Sequence, residues 1–305
     1  MVAIKKVYIS GLGAVGSAYA GQIYQTDPEA LTVIADPERV ERYRREGVSV
    51  NGTVYPFRFE TPQAVAEPAD LILIAVKQHQ LTASIEALRN CVGQETIILS
   101  LLNGITSEET VGAAYGLEKV LYSFVVGTDA VRLGTQTRYS RLGKIVFGEP
   151  GQGNDSPKVQ TVREFFDRVG VPYEVPEDIL RELWWKFMMN VGVNQISAVL
   201  KAPYGVFQNV GEARQLLGLA SGEVLSLAER AGINLTAADI DQYLEIIATL
   251  APEGKTSMLQ DVEAGRKTEV ESFAGTVTAL GRQYGIATPV NDLLWRMIRT
   301  LEQSY

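Results

Sequence analysis

The run VYISGLGAVGSAYAGQIY at 7–24 limits the fold more than any other stretch of the chain. A short β-branched segment ends in Gly11, Gly13 and Gly16, spaced as GxGxxG, and an alanine-rich helical stretch follows. Glycine-rich turns are common, so the spacing alone is weak. Between a first strand and a helix it becomes specific. Gly11 permits the turn, Gly13 lets the backbone approach a pyrophosphate, and Gly16 allows the helix and strand to pack closely. Ala14 and Val15 open the helix, whose free N–H groups and dipole favour phosphate. Gly11, Gly13, Ala14, Val15 and Gly16 are therefore expected to hold a dinucleotide.

A second apolar run, LTVIA at 31–35, stops at Asp36, and the charged helix PERVERYRREG follows with Pro37 at its first position and Gly47 past its end. Asp36 lies twenty residues beyond Gly16, where the adenosine ribose should fall. A carboxylate there accepts both ribose hydroxyls and repels a 2′-phosphate. The same side chain can also cap the helix. Arg39 and Arg42 are near enough that one of them, turned inward, would accommodate the phosphate. NAD is favoured and NADP is left open.

The segment VSVNGTVYPFRF at 48–59 reads as a hairpin around Asn51 and Gly52. LILIAV at 71–76, a helix from about 79 to 90, and TIILSLL at 96–102 then alternate as in a parallel sheet covered on both faces. KVLYSFVVGT and TRYSRLGKIVFGE predict antiparallel strands closing the edge of that sheet. A helix near 157–169 and the short strand VPYEV follow, and Pro176 is the natural hinge. Beyond it the helical period covers 177–200, 211–231, 236–250, 254–284 and 289–303. The expected fold class is α/β: a Rossmann-type parallel-sheet domain over 1–176 and an all-helical domain over 177–305.

A net charge of −8 gives no basic footprint, which argues against nucleic acid and anionic membrane as partners. An anionic substrate needs only a local cation. The single cysteine, Cys91, excludes an internal disulfide and a cysteine-rich zinc site, and suits a reducing cytosol as a small apolar residue. The chain opens on a strand without a signal-peptide apolar region, and its longest apolar runs are too short to span a bilayer, so a cytoplasmic location without metal or membrane is expected.

The helical half carries the chemistry. In RELWWKFMMNVGVNQISA at 181–198, Lys186, Asn190 and Asn194 recur every four residues. Residues so spaced drift only about 40° per step around a helix, so the three form a stripe about 12 Å long. Trp184, Trp185, Phe187, Met188, Met189, Val191 and Val193 leave no second polar face, and such a helix is normally buried. Three buried polar groups need partners, which a small ligand would supply. A lysine of ordinary pKa about 10.4 is a poor acid at neutral pH, and an apolar setting lowers that value. His79, the only histidine, reads better as a solvated loop residue than as a catalyst. Ser257, Asp261 and Glu269, spaced by four and eight, are expected along one side of a helix; Asp261 is a capping charge or a site residue, and Glu269 lies among Val270, Phe273 and Ala274.

RELWWKFMMNVGVN and SMLQDVEAGRKTEVESFAG, with GLGAVG, VKQHQ at 76–80 and LLNG at 101–104, resemble the ketopantoate reductase family. The resemblance runs the length of the chain in order. It implies reduction of a 2-oxo acid to the (R)-2-hydroxy acid by a nicotinamide cofactor. By position, Lys186 matches the proton donor to the carbonyl oxygen and Glu269 the acid that orients substrate and supports the lysine. Asn190, Asn194 and Ser257 match residues that hydrogen-bond substrate, while Asn103 and Lys77 match residues beside the nicotinamide. Two departures stand out. Asp36 replaces the arginine usual in NADP-dependent members, and Gly254 replaces an asparagine three residues before the matched serine. Both resemble NAD-dependent D-2-hydroxyacid dehydrogenases of the same fold, which take branched or aromatic 2-oxo acids. A cofactor-sensing regulator without turnover is a third reading, against which Lys186 and Glu269 count. A small-molecule 2-oxo acid is the expected partner, and a homodimer stays open.

Overall fold

The central strands are largely apolar on both faces because both of those faces are covered. In the computed structural model, which describes residues 3–153 and 156–304, successive residues of β1 (Val7–Ser10), β6 (Ala69–Ile74) and β7 (Val92–Ser100) alternate between two cores. Val7, Ile9, Leu71, Leu73, Ile97 and Leu99 enter one core with Tyr19 and Ile23 of α1 (Ala14–Thr26) and Phe165 and Phe166 of α5 (Pro157–Val169). Tyr8, Ile72, Ile74 and Ile98 enter the other with Leu81 of α3 (Leu81–Ala87) and Val111 of α4 (Ser107–Tyr115). This is the period of two in a strand, read from both sides. Each such side chain contributes about 1.5–3 kcal/mol by its burial.

The sheet has eight strands among the described residues, in the order β12-β11-β8-β7-β6-β1-β2-β5. From β5 (Arg58–Glu60) through β2 (Leu31–Ile34) to β8 (Val120–Val126) every pair is parallel; β11 (Lys144–Gly148) alone runs antiparallel to its neighbour β8, and β12 (Tyr173–Glu174) lies beyond it. The sequence was expected to put both 120–126 and the 136–148 region into an antiparallel edge. β8 and β11 do pair antiparallel there, while β8 also joins β7 in parallel and β10 (Gln136–Arg138) leaves for a second, four-stranded sheet with β3 (Val48–Val50), β4 (Thr53–Tyr55) and β9 (Val131–Leu133). Such pairings across about ninety residues of chain leave no local signature. The β3–β4 hairpin turns at Asn51 and Gly52, both with positive φ (50° and 85°), as the Asn-Gly pair implies. Cys91 is buried, and burial chiefly, with Glu60 second, pushes its thiol up to about 12.

Two compact units divide the chain. The residues up to Leu102 together with Ser107–Ile179 form one; Asn103–Thr106 together with the residues from Leu180 onward form the other. In the second, α6 (Ile179–Met189), a π turn (Asn190–Asn194) and α7 (Gln195–Leu200) run on continuously. α9 (Gly211–Arg230) buries Ala213, Leu217, Ala220, Val224 and Leu227, a helical stripe of three- and four-residue steps. It packs with Val193, Ile196, Phe207, Tyr243, Ile247 and Leu294 into the core of this unit.

The expected helix over 254–284 is broken. α11 (Ser257–Glu263) ends at Gly265, whose φ of 60° turns the chain, and the Arg266 amide closes back on the Asp261 carbonyl at 2.8 Å. The helix resumes only as α12 (Ala274–Tyr284), after a 3₁₀ turn over Val270–Ser272. Ser257 and Asp261 keep the spacing of one side of α11, but Glu269 stands on the connection beyond it, and Asp261 pairs with Arg266 at 2.9 Å. Among the described residues no helix is long and apolar enough to cross a membrane.

Candidate active site

In the first unit Gly11 and Gly16 occupy positions that other residues could not share. Gly11 has φ 97°, and a Cβ there would lie 2.7 Å from the Ala75 carbonyl oxygen; a Cβ on Gly16 would lie 1.9 Å from the Gly11 oxygen. Gly13 differs. A Cβ on it would meet only the Ala75 oxygen, at 3.7 Å, so packing does not demand glycine there. Its bareness leaves space in front of α1, whose first turn has neither a side-chain cap nor an acidic residue. Ala14 and Val15 form that turn. Bare N–H groups, an open approach and no opposing carboxylate fit a dinucleotide pyrophosphate.

Asp36 is exposed at the end of β2. Its Oδ1 accepts from the Arg39 amide at 2.8 Å, so it caps α2 (Pro37–Glu46), and its Oδ2 lies 3.4 Å from the Arg39 Nε. Arg42 lies over the Tyr43 ring at 5.2 Å. Lys77 is half-buried after β6, where its amide donates to the Gln80 Oε1 at 3.4 Å, and His79 is exposed beside it.

The second unit brings together three residues that are far apart in sequence. Lys186 Nζ donates to Asn103 Oδ1 at 2.9 Å, and Asn103 Nδ2 donates to Glu269 Oε2 at 2.9 Å. The amide orientation is forced, since an ammonium only donates and a carboxylate only accepts. Lys186 and Glu269 are each 8 % exposed. Burying either charge without partners would cost several kcal/mol, and Asn103 answers both with one side chain. The resemblance sets Asn103 beside the nicotinamide and makes Glu269 a support of the lysine; the bonds of the Asn103 amide to both of them are a structural finding.

Local structure explains how each member is held. Gly104 has φ 102°, and a Cβ there would lie 3.4 Å from the Ser272 carbonyl oxygen, a turn and an approach that suit glycine next to Asn103. Glu269 follows Thr268, whose amide and hydroxyl both donate to Glu302 at 2.7 and 2.6 Å, and its own carbonyl accepts from the Ser272 amide at 2.9 Å. Lys186 sits one turn before the π turn that contains Asn190 and Asn194. There Asn194 is 6 % exposed and donates to the Asn190 Oδ1 at 3.2 Å. A straight α-helix would carry the stripe steadily around its axis; the wider π turn opposes that drift and keeps the two amides together. Ser257 is exposed at the start of α11, next to Thr256, which caps that helix by accepting from the Leu259 amide at 3.1 Å. Among the described residues no group of three or more histidine, cysteine or acidic side chains is placed to hold a metal.

The family model described as ketopantoate reductase PanE/ApbA matches residues 7–152, and that of the ketopantoate reductase PanE/ApbA C terminal matches 178–302. The chain belongs to the ketopantoate reductase family. It is an NAD(P)-dependent oxidoreductase of the class that interconverts 2-oxo and 2-hydroxy acids. Among curated relatives, the 2-dehydropantoate 2-reductase of Aquifex aeolicus is 26% identical over 304 residues, covering 98% of this chain and 97% of that protein. That of Pyrococcus horikoshii is 26% identical over 302 residues, covering 97% of each. The same fold occurs in D-mandelate dehydrogenase with NADH and anilino(oxo)acetate, at TM-score 0.88 and 20% identity, covering 98% of this chain and 99% of that one. It occurs also in the PanE/ApbA family ketopantoate reductase of Ralstonia eutropha, at TM-score 0.83 and 24% identity, with the same coverage.

Proposed function

We propose that this ketopantoate reductase family member reduces a branched 2-oxo acid, 2-dehydropantoate or a close relative, to the (R)-2-hydroxy acid, with Lys186 as proton donor. The observation that carries the reading is the buried run Lys186, Asn103, Glu269. When bound, the nicotinamide cofactor supplies the hydride that reaches the carbonyl carbon. Lys186 Nζ gives a proton to the carbonyl oxygen as that oxygen gains charge, so the C=O becomes CH–OH. Glu269, acting through the Asn103 amide, fixes the direction of the lysine. Asn190 and Asn194, with Ser257, offer hydrogen bonds to the substrate carboxylate and side chain.

NAD is the proposed cofactor. Gly11, Gly13, Ala14, Val15 and Gly16 would hold the pyrophosphate, Asp36 the ribose, and Lys77 would stand on the cofactor side. The carboxylate at the end of β2 supports this, as does the engagement of both nearby arginines, Arg39 with Asp36 and Arg42 over Tyr43. NADH is expected to give the higher kcat/KM. Asp36→Arg should shift preference towards NADPH by about tenfold or more, because a guanidinium pairs with the 2′-phosphate that the carboxylate repels. Steady-state kinetics with both cofactors reads the shift, and a wild type preferring NADPH tenfold would reverse the assignment.

One observation favours a second substrate class. A Cβ on Gly254 would lie 2.9 Å from the Ala251 oxygen and 3.0 Å from the Tyr204 ring, so an asparagine at this position requires the Ala251 backbone to shift and the ring to give way. A chain that keeps the ring and lacks the amide suits a D-2-hydroxy acid dehydrogenase whose substrate has no extra hydroxyl. Rates for ketopantoate and for other branched or aromatic 2-oxo acids, each with NADH and NADPH, test both readings. Absence of turnover with all of them would leave a cofactor-sensing regulator. The ketopantoate reductase of Staphylococcus aureus is dimeric, and light scattering would test the homodimer proposed here by analogy.

A further inference from the structure

The π turn that carries Asn190 and Asn194 is tied to three other helices by a buried polar cluster. Gln195 is fully buried, and its side chain uses every group it has. Nε2 donates to the Val191 carbonyl at 2.9 Å and to Asn291 Oδ1 at 3.1 Å, while Oε1 accepts from the Ala274 amide at 3.0 Å. Reversing the amide would oppose donor to donor and acceptor to acceptor, so its orientation is fixed. Asn291, also fully buried, sits in the first turn of α13 (Pro289–Glu302) and donates to the Ala220 carbonyl at 3.1 Å and to Glu223 Oε2 at 2.7 Å. Glu223 on α9 also accepts from the amides of Val290 and Asn291, at 2.7 and 3.0 Å, and so caps α13, whose own Thr288 makes no side-chain cap.

A π turn needs such support. Its bonds run to the fifth residue instead of the fourth, so carbonyls in the turn change partner. The Val191 carbonyl also accepts from Gln195. On the opposite side Gly192 lets α9 come close: a Cβ there would lie 2.4 Å from Ser221 Oγ and 3.2 Å from Leu217.

We infer that Gln195 and Asn291 are positioning residues that hold the π turn open and so aim Asn190 and Asn194 at the substrate. The inference rests on the substrate role proposed above for those two asparagines. Gln195 serves two ends at once, because the Ala274 amide that it accepts from begins α12, five residues after Glu269.

The test uses Gln195→Met, close in length but without donors or acceptor. The KM for the best 2-oxo acid should rise about tenfold, the scale of one misplaced hydrogen bond, with kcat within about threefold of wild type and NAD(H) affinity unchanged. Asn291→Ala, which leaves Gln195 in place, should act in the same direction, and the double variant should add little to either. If Gln195→Met does not fold, Asn291→Ala carries the KM comparison by itself. Amide exchange of peptides spanning 186–198 should also quicken in the variants. That readout does not depend on the substrate. A KM at the wild-type value, whatever happens to Tm, overturns the inference and leaves the cluster as packing; so does unchanged exchange. Lys186→Ala, measured alongside, separates the two proposals: if it retains turnover, the functional reading has failed, and the exchange data still judge the role of Gln195.

Discussion

Lys186→Ala is expected to fold as the wild type does and to lose kcat by a factor on the order of 10² to 10⁴. Alanine suits a helix at least as well as lysine, so α6 should persist. What disappears is the Nζ that meets Asn103 and, in the proposed reaction, both protonates the carbonyl oxygen and stabilises its developing charge. The dinucleotide motif lies in the other unit, so NAD(H) affinity should stay within about twofold. Lys186→Arg is the informative companion. It keeps a positive charge but replaces the compact ammonium by a planar group that does not release its proton near neutrality, so binding should survive better than turnover. Retention of half the wild-type kcat by Lys186→Ala would move the donor elsewhere, with His79 next to be tried.

Asn103→Ala is expected to lower kcat/KM by a factor on the order of 10² to 10³, although Asn103 itself is uncharged. Two charge-assisted bonds vanish with one side chain, each worth about 1.5–3 kcal/mol. The lysine loses its aim. Lys186 and Glu269, each 8 % exposed, are left to reorganise, so Tm should fall as well. Asn103→Asp makes the mechanism explicit. It can still accept from Lys186, but it sets a carboxylate against Glu269 where Nδ2 had donated, so it should also be impaired despite its near-identical shape. Glu269→Gln should be milder in structure, since its amide oxygen can still accept from Asn103, and its loss of activity would then report the charge. An Asn103→Asp variant with wild-type kinetics would remove the bridge from the catalytic account.

Much of this organisation was readable in the sequence, for identifiable reasons. The glycine spacing was legible because sterics at Gly11 and Gly16 admit nothing else, and the parallel strands because burial on two faces removes polar positions. The stripe Lys186, Asn190, Asn194 was legible because a helix maps spacing onto direction. The same logic failed between 254 and 284. Periodicity continued across Gly265, but its left-handed backbone ends the helix there, and Glu269 reached the site from a connection instead of a helix face. The π turn was invisible, since the weak helix formers of NVGVN show low propensity but not where bonds run to the fifth residue. Gln195 carried no signal in the sequence, because its partners, Asn291 and Ala274, are distant in sequence. Asn103 was found only through resemblance, and even then its partners were not, since no periodicity links a loop at 103 to residues at 186 and 269.

The excursion of Asn103–Thr106 into the helical unit gives the protein a dependence in time. Asn103 is made 83 residues before Lys186 and 166 residues before Glu269. At 5–20 residues per second, synthesis leaves that amide without its carboxylate for roughly 8 to 33 s. The parallel strands on either side of it can pair meanwhile, but the acid–amide–lysine bridge is among the last contacts to close. A fragment beginning at Leu180 would carry both charges and lack the group between them, so the helical half is not a cassette that can be excised or exchanged between relatives without the four residues lent to it from the other half.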